Sequence, residues 1–512
     1  MPRRLSTTVA EAGAGVRLPE VLALGFTGHR KLADEARCRG WIHAYLAERK
    51  TAEKRTVVGV SSVAAGSDLL FAESCIALGI PLRVLLPLTR EEFRKDFDEA
   101  MWSRAEQAMR GAISVEVVGS DDRRDERYYE CGLETVQQSQ ILLAVWNGQS
   151  AQGPGGTAEI VEFARQMGRP VVWMHSESGA LETYNQPSDG PSRTETTGEA
   201  ELEFLNRLPG LSDGPAPDSP TEIAAAWLEK LDRNAVLVAP QVRRLAALPI
   251  VCTALAAFLS AAAPRMHWAG LFSMAAWLAA GAVLGLTASL LPAMLRLGQR
   301  QALWVRLRTA AEVSRAALAQ WQMPSRTQVV GPEILPELSG MLLGLNLLKS
   351  QSTPAAPPAV ADFVEMYLKQ RLLDQREYYR RQATESAAMA RRYRLLSKVC
   401  VIAAIVLTVG TFAGRFFLQP GAMAASSWLA LLSSALFQVA TVAGALLVVH
   451  DCDRRQRRYL EIHRALAGWE KELRALRTWP PVIQVVGRIE RALLVELIEW
   501  RSLLQNRKMP RN

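Results

Sequence analysis

The chain has 512 residues, 49% hydrophobic and 22% charged, with a formal net charge of +9. That length is more than one ordinary domain needs. Its six cysteines (Cys38, Cys75, Cys131, Cys252, Cys400, Cys452) stand singly, so neither a zinc site nor a disulfide framework is indicated and the thiols suit a reducing compartment. Much of the basic excess flanks long apolar stretches, which points to membrane headgroups before nucleic acid.

In chain order, 1–20 form a tail that has two early arginines, Arg3 and Arg4, but no apolar signal-peptide core. Short β-branched or leucine-rich runs follow at 21–26, 56–60, 82–86, 113–118, 141–146 and 171–174. Between them lie amphipathic helical candidates at 36–48, 67–78, 91–109, 127–138 and 157–167. Near-continuous apolar strands alternating with helices mean a parallel sheet covered on both faces. The expected fold over 21–176 is therefore a doubly wound α/β domain. Residues 177–220 are rich in Ser, Gly, Pro, Asp and Thr and read as a linker.

The remainder is expected to be all-α. Four charge-free apolar stretches, 245–264, 266–295, 399–414 and 416–449, form two pairs parted only by Arg265 and Arg415, with spans expected near 245–264 and 268–292, then near 399–418 and 427–449. Each approaches the roughly 20 residues a helix needs to cross a bilayer. Arg243, Arg244 and Arg296 flank the first pair, and Arg392, Arg394, Lys398, Arg454, Arg455, Arg457 and Arg458 the second. The positive-inside tendency then places both termini in the cytoplasm of a multi-pass inner-membrane protein. The expected units are 221–349 for the first hairpin and its helices, a Pro-rich joint at 350–360, and 361–512 for the second hairpin, its last two helices broken at Pro480-Pro481. A GxxxG spacing occurs in each half, at Gly281/Gly285 and Gly410/Gly414, compatible with packing glycines or with a homo-oligomer seam.

Three glycine-bearing segments follow predicted strands, at the sheet edge where open α/β folds bind ligands. The first supplies Gly25, Thr27, Gly28, His29 and Arg30. The second supplies Ser61, Gly66, Ser67 and Asp68. The third supplies Asn147, Gly148, Gly155, Gly156, Thr157 and Glu159. Glycine admits close backbone approach and a helix N-terminus attracts phosphate, so a nucleotide or nucleotide-derived small molecule is the expected ligand. Arg30 and His29 are the candidate cations, Glu159 the candidate ribose partner or catalytic carboxylate. Each has a structural alternative: His29 as a backbone-held loop residue, Asp68 and Glu159 as carboxylates favouring their helix starts. There is no Walker lysine and no GxGxxG, which counts against ATPase and dinucleotide readings. No cofactor is expected.

Leu24-Gly-Phe-Thr-Gly-His-Arg30, Val60-Ser-Ser-Val-Ala-Ala-Gly-Ser-Asp68 and Gly153-Pro-Gly-Gly-Thr-Ala-Glu159 resemble the SLOG superfamily, which joins the Rossmann-like domains of DNA-processing protein A and Lonely Guy. Lonely Guy enzymes hydrolyse cytokinin riboside monophosphates and carry a Pro-Gly-Gly-x-Gly-Thr-x-x-Glu loop. The Thr–Glu step is shorter here, which favours phosphate cradling over hydrolysis. Glu377-Tyr-Tyr-Arg-Arg381, two apolar spans and Glu490-Arg-Ala-Leu-Leu-Val-Glu496 are similar to SLATT domains, two-span modules of bacterial conflict systems. The resemblances imply a membrane effector that senses a nucleotide through its SLOG-like domain. The rivals are a tethered nucleotide N-glycoside hydrolase and a membrane-anchored DNA-binding module. The last ranks lowest, because the loops offer Arg30, Phe26 and Trp146 but no basic run for a single strand.

Overall fold

The computed structural model describes residues 16–118, 123–150, 155–185, 193–210, 217–262, 271–294, 297–324, 335–352, 357–417 and 423–506. The termini and the expected hairpin tips lie largely outside these ranges. Two compact units emerge: Met1–Asn234 with Thr309–Val364 and Leu476–Trp500, and Ala235–Arg308 with Glu365–Ala475 and Arg501–Asn512.

The first unit is built on a seven-stranded sheet ordered β4-β3-β2-β1-β5-β6-β7. Its strands are β1 (Val21–Gly28), β2 (Thr56–Ser61), β3 (Leu82–Leu86), β4 (Ser114–Val117), β5 (Ile141–Trp146), β6 (Val171–His175) and β7 (Leu181–Tyr184). Every pairing is parallel except β6 with β7. The helices between are α1 (Glu35–Ala52), α2 (Ser67–Ala77), α3 (Arg90–Phe93), α4 (Glu99–Gly111), α5 (Arg124–Gln137) and α6 (Thr157–Gln166). The α/β expectation holds, and the alternation along β1 explains it. Leu22, Leu24 and Phe26 join the core under α1, α2 and α4, while Val21 and Ala23 face the opposite side.

Two expectations change within 91–220. The helix expected at 91–109 is broken, because Thr89 and Asp98 each cap a separate start: Glu92 N–H donates to Thr89 Oγ1 (3.4 Å) and Met101 N–H to Asp98 Oδ1 (2.7 Å). The stretch at 177–220 is more than a linker, since it contains β7 and α7 (Arg193–Asn206). Leu202 and Leu205 near the end of α7 are buried, so apolar contact orders a segment whose polar composition argued for a loop.

The other helices are α8 (Pro220–Ala262), α9 (Leu271–Met294), α10 (Leu297–Ala319), α11 (Ser339–Ser352), α12 (Val360–Tyr367), α13 (Leu373–Phe417), α14 (Met423–Val449), α15 (Cys452–Ala475) and α16 (Trp479–Asn506). The prolines at 480 and 481 start α16 rather than separating it from its predecessor, as suits residues whose missing N–H falls in a first helical turn. In the first unit, α11 lies against the sheet: Leu347 packs on Val21, Ala23 and Val58. The far face is thus covered by α5, α6 and α11. Asn206 at the end of α7 accepts Leu18 N–H through Oδ1 (2.9 Å), and its Nδ2 donates to Leu18 O (3.1 Å). The buried Lys230 ammonium donates to Val16 O (2.9 Å) and Asn206 O (3.0 Å). These bonds tie the segment before β1 to α7 and α8.

In the second unit, α13 and α14 hold apolar windows long enough to cross a membrane, with mean hydropathies of 2.2 and 2.0. Only 11% and 18% of the two windows is buried, with Ile402, Val406 and Phe412 among the exposed side chains. A soluble core helix would hide such surface. The described parts of the stretches at 245–264 and 268–292 fall on α8 and α9 and hold shorter apolar runs, Pro249–Leu259 and Ala275–Leu290.

A seam of small residues joins α13 to α14. Ala404 on one helix and Ser433, Ala440 and Ala443 on the other are buried. Ser433 Oγ donates to Ala404 O (2.9 Å) and lies 2.7 Å from Thr408 Oγ1. Small side chains let backbones approach and hydroxyls bond across helices where water is absent. Ser433→Ala should therefore weaken the hairpin by about 0.6–1.7 kcal/mol, measured as unfolding in mild detergent. Wild-type stability in that variant would remove this bond from the account. Gly410 is not part of the seam, since a Cβ there would meet nothing within 4 Å.

Candidate functional site

The strand order reverses between β1 and β5, and crevices at such switch points are where open α/β sheets take ligands. β1 and β5 lie side by side, with Gly28 opposite Val145. The chain leaving β1 carries His29 and Arg30, and the chain leaving β5 carries Asn147 and Gly148. The structure thus brings the first and third segments together across the switch, with the second beside them.

Hydrogen bonds hold the three loops to one another. His29 N–H donates to Val145 O (3.0 Å), and Asn147 N–H donates to His29 Nε2 (3.1 Å). Asn147 Oδ1 is 3.2 Å from that same Nε2 and accepts Gln149 N–H (3.1 Å). The second loop is anchored from α2, whose Ser67 donates to His29 O through both N–H and Oγ, each at 3.1 Å. Ser61 Oγ accepts Val63 N–H (3.3 Å), and Val63 is held at φ 51°. A β-branched residue there is strained and persists only where its surroundings fix it. Its side chain is fully buried in the core.

Several of the glycines fill packing roles. A Cβ on Gly25 would sit 2.6 Å from Ser139 Oγ, and one on Gly28 2.9 Å from Val145 O. Gly66 has φ +93° and approaches the His29 and Arg30 carbonyls, where a Cβ would come within 2.5 Å and 2.4 Å. Gly155 has φ +78°, and its open side is occupied by the backbone of Tyr128 and Tyr129, with Tyr129 N at 2.8 Å. Gly153 and Pro154 lie outside the described residues. Gly156 caps α6 and Thr157 opens it. Glu159 is exposed, and its Oε2 accepts Gly155 N–H (2.8 Å), so its carboxylate closes its own loop.

Two carboxylates and two cations shape the electrostatics. Asp68 is 5% exposed, accepts the Ser62 hydroxyl (3.0 Å) and is pushed up to about 7, first by burial. The Ser62 hydrogen bond, the Arg30 charge and the N–H groups of Asp68 and Gly28 counteract part of that rise. Arg30 is exposed, and its guanidinium lies 5.1 Å from the Tyr128 ring centroid. The other flank of this group comes from residues that sequence reasoning missed. Tyr128 donates its hydroxyl to Asp96, Arg124 pairs with the same Asp96, and the Arg124 guanidinium is 5.9 Å from the Tyr128 ring. Burial and Asp96 push the Tyr128 phenol up. The Arg123-Arg-Asp-Glu-Arg-Tyr-Tyr-Glu130 run at the start of α5 was the available signal, since interleaved basic and aromatic residues suit anion and ring contacts.

Thr27 is half-buried near the end of β1, and Gly148, with φ +77°, is exposed beyond β5. Beside them His29 is half-buried and Arg30 exposed, and α2 and α6 begin after the second and third loops. Such a surface suits an anion with a planar or polar appendage. Among the described residues no group of His, Cys, Asp or Glu is placed to hold a metal ion. A shallow depression of about 630 Å³ lies elsewhere, along α1 at Glu35, Arg39 and His43. No protein-family model matches the chain, and no curated protein does.

Proposed function

We propose that the chain is a multi-pass membrane effector whose α/β domain binds a nucleotide or nucleotide-derived anion at the β1–β5 crevice and thereby alters membrane permeability, in the manner the SLOG and SLATT resemblances imply. The observation that supports this most is the presence in one chain of a switch-point crevice, with its exposed cation Arg30, and of helices whose apolar surface is exposed. Four spans in two hairpins, cytoplasmic termini, a homo-oligomeric assembly and a role in defence against phage belong to the same proposal. The ligand acts by binding one conformation better than another, since equal affinity for both would shift nothing. The hydrolase reading has less support, because Glu159 spends an oxygen on its own loop.

The test uses the full chain in detergent and in dye-loaded liposomes, screened against nucleoside mono-, di- and triphosphates and cyclic dinucleotides. A ligand should raise the melting temperature by linkage and release dye, and it should be recovered chemically unchanged. Arg30→Ala should weaken its binding by about 1.5–3 kcal/mol, the worth of a charge-assisted bond. Free base accumulating while liposomes stay sealed would establish the hydrolase instead.

A further inference from the structure

The cations of the second unit divide into two sets. Arg376 pairs with Glu470, Arg380 with Glu377, Arg394 with Asp453 and Arg474 with Glu470. Arg391, Arg392, Lys398, Arg454 and Arg457 are all exposed and have no carboxylate partner among the described residues. The sequence explains the division: between Glu385 and Asp451 there is no acidic residue at all. These cations also share a level. Tyr393 stacks on His450 (centroids 5.9 Å apart) and Arg394 pairs with Asp453, which sets 391–398 of α13 beside 450–457 at the start of α15. At about 1.5 Å rise per residue, each group spans only about 10 Å along its helix.

The same level is where the exposed apolar surface begins. Leu395 is 65% exposed and Val399 55%, with Leu396 and Ile402 also exposed on α13 and Val448 on α14. Unneutralised cations bordering an apolar belt match the phosphate layer of a leaflet, where acyl chains lie on one side and headgroup oxygens on the other. From this juxtaposition we propose that the α13–α15 junction is a binding site for anionic phospholipid, recognised by a headgroup of net negative charge beside acyl chains. The proposal rests on the membrane reading above and adds a lipid class to it. Internally paired cations such as Arg380 and Arg474 take no part.

The experiment follows the melting temperature of the full chain in a neutral detergent during titration with phosphatidylglycerol, phosphatidylcholine or inorganic phosphate. Phosphatidylglycerol should raise it by several degrees, an effect that fades with salt, while the other two leave it unchanged. Combined Arg391→Gln, Arg392→Gln and Lys398→Gln should reduce the apparent lipid affinity at least tenfold, and so should the pair Arg454→Gln and Arg457→Gln, which serves if the first variant does not fold. Arg380→Gln should bind as wild type does. Equal shifts from phosphatidylcholine or from inorganic phosphate, or full response in both variants, overturn the proposal. Vesicle flotation separates the two levels of failure: a chain that enters no vesicle sinks the membrane reading, whereas one that enters neutral and anionic vesicles without an anionic-lipid shift sinks only the lipid site.

Discussion

Gly66→Ala should destabilise the α/β domain by about 2–6 kcal/mol and abolish ligand binding with it. Two costs combine at this position. Its φ of +93° lies outside the region that residues with a Cβ favour, at roughly 1–3 kcal/mol. The new methyl would also come within 2.4 Å of Arg30 O and 2.5 Å of His29 O, which are backbone atoms and cannot turn aside, so a typical overpacking cost of about 1–3 kcal/mol adds to it. Relief would require the β1 loop to move, and that loop is bonded to Ser67 of α2, to Val145 O and to Asn147. Denaturant unfolding of the full chain in detergent measures the loss. Gly168→Ala is the comparison, because that glycine also has positive φ (+68°) but open space around it, so it reports the backbone term alone. Equal losses in the two variants would mean that the contact with His29 and Arg30 contributes nothing.

That comparison bears on what glycine tells a reader of sequence. Glycines after strands announce that something approaches closely, but not what approaches. At Gly25 it is Ser139, at Gly66 the β1 loop, and at Gly155 the backbone of α5. Three loops were expected at one sheet edge and the chain folds that way, because strand periodicity and the reversal of strand order depend on local pattern. How the loops share their work was not legible: the second mainly braces the first, and Glu159 turns back on Gly155. Asp96 and Tyr128 escaped notice because their meeting depends on contact over 32 residues.

The covering of the sheet by α11 was hidden for a related reason. Its run from Met341 to Leu348 is apolar on several sides and names no single buried face. Its partners, Val21 and Ala23, lie more than 300 residues earlier. The apolar helices were the reverse case. Length and absence of charge marked its apolar stretches directly, and α13 and α14 are long and apolar enough to span.

Stability of the α/β domain should fall as pH rises from about 4 to above 7, and Asp68→Asn should flatten that slope. The Asp68 carboxyl has an ordinary value of 3.8 and is pushed up to about 7 in the fold. The folded chain therefore holds this proton more tightly than the unfolded chain does. Its contribution is full below 3.8, drains as the unfolded state ionises first, and is gone once pH passes the folded value. At about 1.4 kcal/mol per unit, the change is on the order of 4 kcal/mol. Groups facing the carboxyl set its size: Arg30 and the Ser62 hydroxyl favour the charged form, while burial beside the Cys131 thiol opposes it. Asparagine keeps an acceptor for the Ser62 hydroxyl and carries no charge at any pH. The variant should match or fall slightly below wild type at pH 5 and exceed it by roughly 2–4 kcal/mol at pH 8. Denaturant midpoints at the two pH values decide the matter. Parallel pH profiles for the two proteins would place the titration elsewhere. A steeper profile in the variant would mean that the carboxylate, ionised and paired with Arg30, stabilises the crevice, and that an anionic ligand displaces it from Arg30 rather than binding alongside a protonated acid.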